Sequence, residues 1–534
     1  MKIKKFFLKE ILFYILLLFI ILTLTFFDTS NRDYTSVIDF DLTVIHNALQ
    51  IISNAYPDYR DHTAYSQFFL YGIFYKLFSF FDNNLVVNIY LLSENKNPEV
   101  SLQKLYLISR YVNSLVIFLL IIYFNKILNI FKIKNNLVVL STFFLLTSES
   151  VLLNFVILRA DIIAVCFFFI SFYYLISFSK DFQIKYLFIF SFFMIFSLLA
   201  KVQIIFAFYF LIIFFIFYQF VENKDLYNFN SNSNNLLFKK LLKINFKFII
   251  IIPIVFYFIF QFFINNFINS TTKIGYLDTF VFSIFFLFIY LILIFVCKKN
   301  LYLINYFYSV FSSIILFSFV PIFLLKILNL LNFIQVDFNI LFSTINPFYF
   351  LKSYSSFSGQ QLSLDTAVNM AMVFFSDFQF NLIYSLFLVF IYFVSIFKFI
   401  VHTLNKNFSN TIYNNCIYIL LFCSFSFFLI SVNNFRYNPL YDIYIFPFFL
   451  IILFFYIKII NNKVRNIFIF IFIFFFLLNF YQHFKQIKTL FVVSSNHALI
   501  CQTKSVRDFY FVWAKNFDDL FFKKLCLNKE LTFK

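Results

Sequence analysis

Glycine is almost missing from this 534-residue chain: Gly72, Gly275 and Gly359 are the whole supply, and all three lie outside the long apolar runs. Proline occurs seven times and tryptophan once. Helical transporters often interrupt their spans with Gly or Pro, so the scarcity weighs against transport. It weighs lightly, because Phe, Ile, Lys, Asn and Tyr are enriched together, with 99 Phe and 35 Tyr, as an AT-rich coding sequence would produce. That bias also makes a single aromatic stripe lipid-facing filler before it is anything else. Metal-finger spacing is absent: the six cysteines form no Cys-x-x-Cys. Cys166, Cys297, Cys416 and Cys423 fall in or beside apolar runs, while Cys501 and Cys526, near the C-terminus, leave a pairing open. No arginine-rich stripe or nucleic-acid module accompanies the net charge of +18, so nucleic acid is excluded as a partner. No repeat of fixed period occurs. After the basic Met1–Lys5, the run from Ile11 to Phe27 is too long for a signal-peptide core and no small-x-small site follows it, so it reads as an uncleaved first span.

What the chain has is apolar surface. Hydrophobic residues make up 62 % of it, more than a water-soluble core of this size can bury. At about 20 residues per span, the runs predict thirteen spans, at 8–27, 105–125, 136–153, 161–179, 185–200, 202–220, 247–265, 279–297, 302–325, 381–400, 415–432, 442–460 and 466–484. A first outer loop (28–104), a second (326–380) and a short outer tail (485–534) lie off this ladder, and the inner stretch 221–246 has the composition of a flexible linker. The expected fold class is an all-α polytopic transmembrane bundle over residues 1–484, with a long helical first outer loop.

Charge gives the orientation. With the N-terminus inside, the inner segments hold Lys126, Lys132, Lys134, Lys180, Lys185, Lys224, Lys239, Lys240, Lys243, Lys247, Lys298, Lys299, Lys398, Lys406, Lys458, Lys463 and Arg465. The short outer segments hold only Arg159, Lys201, Lys273 and Arg436. This is the asymmetry of the positive-inside rule, and it stays in phase along the chain.

Against that background, ionisable residues at the outer boundary stand out as site candidates. Asp39 and Asp41 precede a helical pattern, Val44, Ile45, Ala48, Leu49 and Ile52. One aspartate suits a helix N-cap; the other reading is a carboxylate held at the membrane surface. Tyr56-Pro57-Asp58-Tyr59 reads as a turn, followed by Arg60, Asp61 and His62, either a local ion pair or a patch for a phosphorylated or metal-bound ligand. Asn154, Arg159 and Asp161 meet the start of the fourth span, where an acid also suits the helix dipole. Lys201 is wedged between two spans, and Arg436 and Tyr437 lie in an outer loop near the C-terminus. His46 reads as a helix-surface residue. Cations and carboxylates at one interface suit a lipid phosphate together with a hydroxyl acceptor.

In order and side, these clusters resemble the multi-spanning glycosyltransferases of the GT-C fold, which use polyprenyl-phosphate sugars and include protein O-mannosyltransferases and aminoarabinose transferases. Such enzymes carry an early acidic motif in a long first outer loop, where this chain has Asp39-Phe40-Asp41. Their Tyr-x-Asp-His-Pro-Pro stretch is similar to Tyr59-Arg60-Asp61-His62, with Thr63-Ala64 in place of both prolines. An Arg-bearing span with a basic inner turn looks like 108–128, with Arg110 and Asn113. A Ser-rich span end, then Arg, then Asp opening the next span, resembles 148–161. Leu199-Ala200-Lys201 is similar to a Leu-Ala-x-x-Lys span end without the family's glycines, and Arg436-Tyr437-Asn438-Pro439 to Arg-Tyr-x-x-Pro with Pro one place early. The resemblance covers about the first 220 residues and 430–460.

The resemblance implies an inverting transfer from a polyprenyl-phosphate-linked sugar donor to a hydroxyl on a glycan, lipid or protein. It places the site at the periplasmic or outer side of a bacterial cytoplasmic membrane. Asp41 first and Asp39 second would serve as base or metal ligand, with Asp161 as the second acidic site. Lys201, Arg60 and Arg436 would contact phosphate, and Asp61, His62, Arg159 and Tyr437 complete the implied substrate-binding set. Some relatives use a divalent metal ion and others do not, which leaves that cofactor open. The rivals are a transporter or flippase, an O-antigen-type polymerase or ligase (whose main loop usually comes late) and a non-catalytic scaffold, disfavoured by the interfacial charges.

Overall fold

In the computed structural model the described residues are 2–31, 41–58, 64–201, 301–336 and 443–459, with isolated positions between 204 and 215, 466 and 481, and 515 and 521. They form helices joined by turns: α1 (Lys2–Asn31), α2 (Asp41–Ile52), α3 (Tyr65–Ser79), α4 (Ile89–Glu94), α5 (Pro98–Ile130), α6 (Asn135–Leu146), α7 (Glu149–Val156), α8 (Ala160–Asp181), α9 (Ile184–Ala200), α10 (Leu301–Leu330) and α11 (Phe446–Ile459). Helices α5, α8 and Tyr306–Leu330 of α10 are long and apolar enough to cross a membrane, and α6 with α7 makes a fourth span if the bent pair is taken together. Among the described residues this is an all-α membrane protein.

The runs expected at 8–27, 105–125, 161–179, 185–200, 302–325 and 442–460 fall on α1, α5, α8, α9, α10 and α11. Those at 202–220 and 466–484 reach only isolated described positions. Those at 247–265, 279–297, 381–400 and 415–432 lie outside the described residues, as does the linker 221–246. Three expectations are corrected. The run at 136–153 is not one helix: α6 and α7 meet at 56°. The Ser148 hydroxyl accepts from Val151 N–H, opening α7 as a new helix rather than continuing α6. The first loop ends early, because Pro98 at the start of α5, followed by Glu99 in the first turn, begins the helix inside the stretch read as loop. Helix α10 likewise runs to Leu330, past the expected start of the second loop.

The bundle is built around α8. Helix α5 runs parallel to it, since Asn113 meets the backbone of Asn154 just before α8 and Phe124 meets Phe169 well inside it. Helix α9 returns antiparallel, clipped by Ser197 Oγ donating to Ala164 O (2.7 Å) and Ser171 Oγ donating to Phe190 O (3.1 Å). Such hydroxyl-to-backbone bonds join helices where apolar side chains alone give little preference for a partner over lipid. Phe448 of α11 packs on Phe168, Phe169 and Phe172, and Phe317 of α10 on Phe188. With so few glycines, the left-handed positions that close turns are held by Asn54, Lys132, Phe182 and Asn332 among the described residues.

Helices α2 and α3 close one end of the bundle. Every residue of α2 is buried. The segment after α10 lies against this end, with Gln335 N–H donating to Ile51 O (3.0 Å) and Lys76 Nζ to Phe333 O (2.8 Å). Gly72 is where α3 crosses α2: a Cβ there would sit 2.6 Å from Ile52 Cγ2 and 3.3 Å from Ala48 O. The Ile52 methyl is branched at Cβ and cannot swing clear within a helix. Gly72→Ala is therefore expected to lower stability by about 1–3 kcal/mol, read as a lower Tm in detergent. Ile52→Ala in the same chain should recover part of the loss, and a purely additive double variant would refute the crowding.

Candidate functional site

The closed end of the bundle collects the polar side chains. Asp41 lies in the first turn of α2, fully buried, and its Oδ1 accepts the N–H of Leu158 at 2.8 Å. Leu158 sits in the link between α7 and α8, directly before Arg159 and three residues before Asp161. The bond ties α2 to the start of α8.

Asp161, in the first turn of α8, has no exposed surface. Lys201 Nζ lies 3.7 Å from its Oδ1 and Arg159 Nε 3.6 Å from its Oδ2, and the Tyr444 hydroxyl donates to Oδ1 at 2.6 Å. Lys201 reaches it because α9 ends there: the backbone leaves the helix at Lys201, whose N–H still bonds to Ser197 O. The two cations keep 10 % and 13 % of their side-chain surface exposed while the carboxylate keeps none. The cluster is thus almost wholly enclosed, with a small part of the two cationic side chains reaching the surface. A carboxylate enclosed by two cations and a phenol is an anchor for all three.

Around Asp41 the layer is aromatic and polar. Gln67 Nε2 donates to the Tyr71 hydroxyl at 3.2 Å, and the Tyr75 hydroxyl shares a hydrogen bond with Ser109 of α5. Burial pushes both phenols well above the usual tyrosine range, and the nearby Asp41 charge pushes further. Both therefore stay protonated at neutral pH. Asn154, with Nδ2 on Ser150 O, and Asn113, with Nδ2 on Asn154 O, are buried beside the α7–α8 link. Arg110 is buried in α5 with its guanidinium 5.7 Å from the Tyr106 ring.

The structure brings Arg159, Asp161 and Lys201 into one cluster and bonds Asp41 to Leu158, the residue before Arg159. Asp39, Arg60, Asp61, His62, Arg436 and Tyr437 lie outside the described residues. His46 corrects the sequence reading: it is fully buried, not on a helix surface. Two residues of the tail come to this part of α2. Lys515 N–H donates to Asp58 Oδ2 at 3.0 Å, Gln50 Nε2 donates to the same oxygen at 2.8 Å, and His46 Nε2 lies 4.0 Å from it. Burial lowers the His46 pKa to about 4, against the pull of Asp58 and a hydrogen bond with Asn516. The folded chain therefore keeps His46 neutral where an unfolded one would protonate it. Stability is expected to fall as pH drops from about 6.5 toward 4, and His46→Gln should flatten that slope in Tm measured against pH; an unchanged slope would count against it.

Tyr444 is the member of the cluster that the sequence did not single out, because one tyrosine at a span end looks like any other in a tyrosine-rich chain. Tyr444→Phe removes one hydrogen bond to a buried carboxylate and is expected to lower stability by about 1.5–3 kcal/mol. A Tm equal to wild type would mean that the bond does not form. As to metals, no three His, Cys, Asp or Glu side chains come together among the described residues, and the partners of Asp161 are cations and a phenol. Asp39, Asp61 and His62, the other acids and the histidine of the expected set, lie outside the described residues. No protein-family model, curated protein or solved structure matches the chain.

Proposed function

We propose that this chain is a membrane glycosyltransferase of the GT-C kind, moving a sugar from a polyprenyl-phosphate donor to a hydroxyl of a glycan, lipid or protein. In this reading it has about thirteen spans in a bacterial cytoplasmic membrane, its N-terminus is inside, and the closed end of the bundle faces the periplasmic or outer side. The observation that carries the reading is the Asp41–Leu158 hydrogen bond. It sets the early acid beside a link that continues directly into Arg159 and Asp161, with Lys201 on the same carboxylate.

The acceptor hydroxyl attacks the anomeric carbon from the face opposite the phosphate, and Asp41 takes its proton. The bond from the anomeric carbon to the phosphate oxygen breaks with inversion, and the electron pair leaves on the lipid phosphate. Arg159 and Lys201 stabilise that developing charge. Asp161 and Tyr444 hold the two cations in place. Asp39, Arg60, Asp61, His62, Arg436 and Tyr437 remain expected contributors from the resemblance.

One observation favours a second reading. The break between α6 and α7 is of the kind transporters place near a substrate path, which suits a flippase for the same lipid-linked saccharides. Purified protein in vesicles, given labelled polyprenyl-phosphate sugar and a mixture of envelope acceptors, separates the two. A transferase moves the label to a new, covalently bound acceptor. A flippase changes only the leaflet in which intact donor is found.

A further inference from the structure

Among the described residues, the most exposed large apolar side chains outside the spans lie at one turn. Phe80 and Phe81, just past the end of α3, are 79 % and 89 % exposed; Leu77 and Phe78 before them are exposed too, as are Tyr90 and Leu91 of α4. The turn has a defined shape. Phe80, Phe81 and Asp82 each donate a backbone N–H to the last turn of α3, and Asp82 Oδ1 accepts Asn84 N–H at 3.0 Å. Asp82 Oδ2 is bound by Lys104 Nζ at 2.6 Å. Two aromatic rings held out on a fixed turn need a cover.

Lys104 indicates which cover. On α5, the surface not packed against the protein includes one continuous stripe: Val100, Lys104, Ile108, Tyr111, Leu115, Leu119, Ile122 and Lys126 are exposed or half-buried, and their spacing keeps to one helix face. The stripe between its two lysines is apolar. From Lys104 to Lys126 the helix rises roughly 33 Å, close to the ~30 Å of a bilayer's hydrocarbon. Lys126 lies 4.5 Å from the Tyr123 ring centroid and 5.4 Å from that of Tyr173, an arrangement suited to the headgroup zone. Lys104 then marks the opposite headgroup zone, and its partner Asp82 sets Phe80 and Phe81 at that level, continuous with the lipid-facing stripe.

We infer that the α3–α4 turn is a second, non-spanning membrane contact, with Phe80 and Phe81 inserted into the phospholipid leaflet at the closed end of the bundle and the Asp82–Lys104 pair among the headgroups. The contact anchors α3, and through the α2–α3 crossing holds the Asp41 end at the bilayer surface. The inference requires only that α5 spans; it stands whether or not the chain transfers sugar.

A single-tryptophan chain tests it. Trp513→Phe removes the one native tryptophan, and Phe81→Trp places a reporter on a position whose exposure makes misfolding a minor concern; Phe80→Trp is the parallel variant. Each is reconstituted in phosphatidylcholine vesicles with or without brominated acyl chains, and acrylamide is added separately. Insertion is shown by loss of most emission with brominated lipid and weak quenching by acrylamide. Strong acrylamide quenching with no effect of bromine would overturn the proposal. Protection from both quenchers would overturn it too, since a second copy of the chain or another protein segment would then cover the turn.

Discussion

Asp41→Asn is expected to reduce sugar transfer by about 10²–10⁴-fold, the range of a general base, while the protein still inserts and folds. The asymmetry follows from the role proposed for Asp41. Asparagine keeps an Oδ1 that accepts the Leu158 N–H, so the tie between α2 and the start of α8 survives. It loses the ability to take a proton. Asp41→Ala would lose both and lower Tm as well as activity, so the Asn variant is the informative one. The measurement is initial rate with labelled polyprenyl-phosphate sugar, with Tm in the same detergent as the folding control. Normal transfer by the Asn variant would remove Asp41 as the base.

Asp161→Ala should act on stability first, lowering it by about 3–5 kcal/mol, as removal of one member of a buried ion cluster does. The carboxylate sits between Lys201 and Arg159, both largely buried, and accepts the Tyr444 hydroxyl. Without it two positive charges face each other where water screens them poorly. The coupling is the diagnostic part: Lys201→Met in the Asp161→Ala chain is expected to restore part of the lost Tm, since it removes the charge left uncompensated. Losses that simply add would show that the 3.7 Å approach of Lys201 contributes nothing.

The site was partly legible because charge beside lipid is rare. Asp41, Arg159, Asp161 and Lys201 were visible as ionisable residues where apolar runs begin and end, and the structure places them at one end of the bundle. What stayed hidden has physical reasons. Tyr444 carries no signal until α11 is packed against α8. The full burial of His46 could not be read from α2, whose apolar spacing suggests one buried face; α3, the segment after α10 and two tail residues cover the others. The break between α6 and α7 was masked because a hydropathy average reads through Thr147-Ser148-Glu149-Ser150, although that polar run was its own warning. Helix α5 begins before its apolar stretch because proline and acid at its start favour helix irrespective of hydropathy.

The central claim is that Arg159 and Lys201, anchored by Asp161, form a seat for a lipid-linked phosphate. Native mass spectrometry of the purified chain with polyprenyl phosphate tests this without knowledge of the sugar. The account predicts a saturable one-to-one complex for wild type and its loss in Arg159→Met/Lys201→Met, with Tm confirming that the double variant is folded. Equal binding by both proteins, or none by wild type, would contradict it.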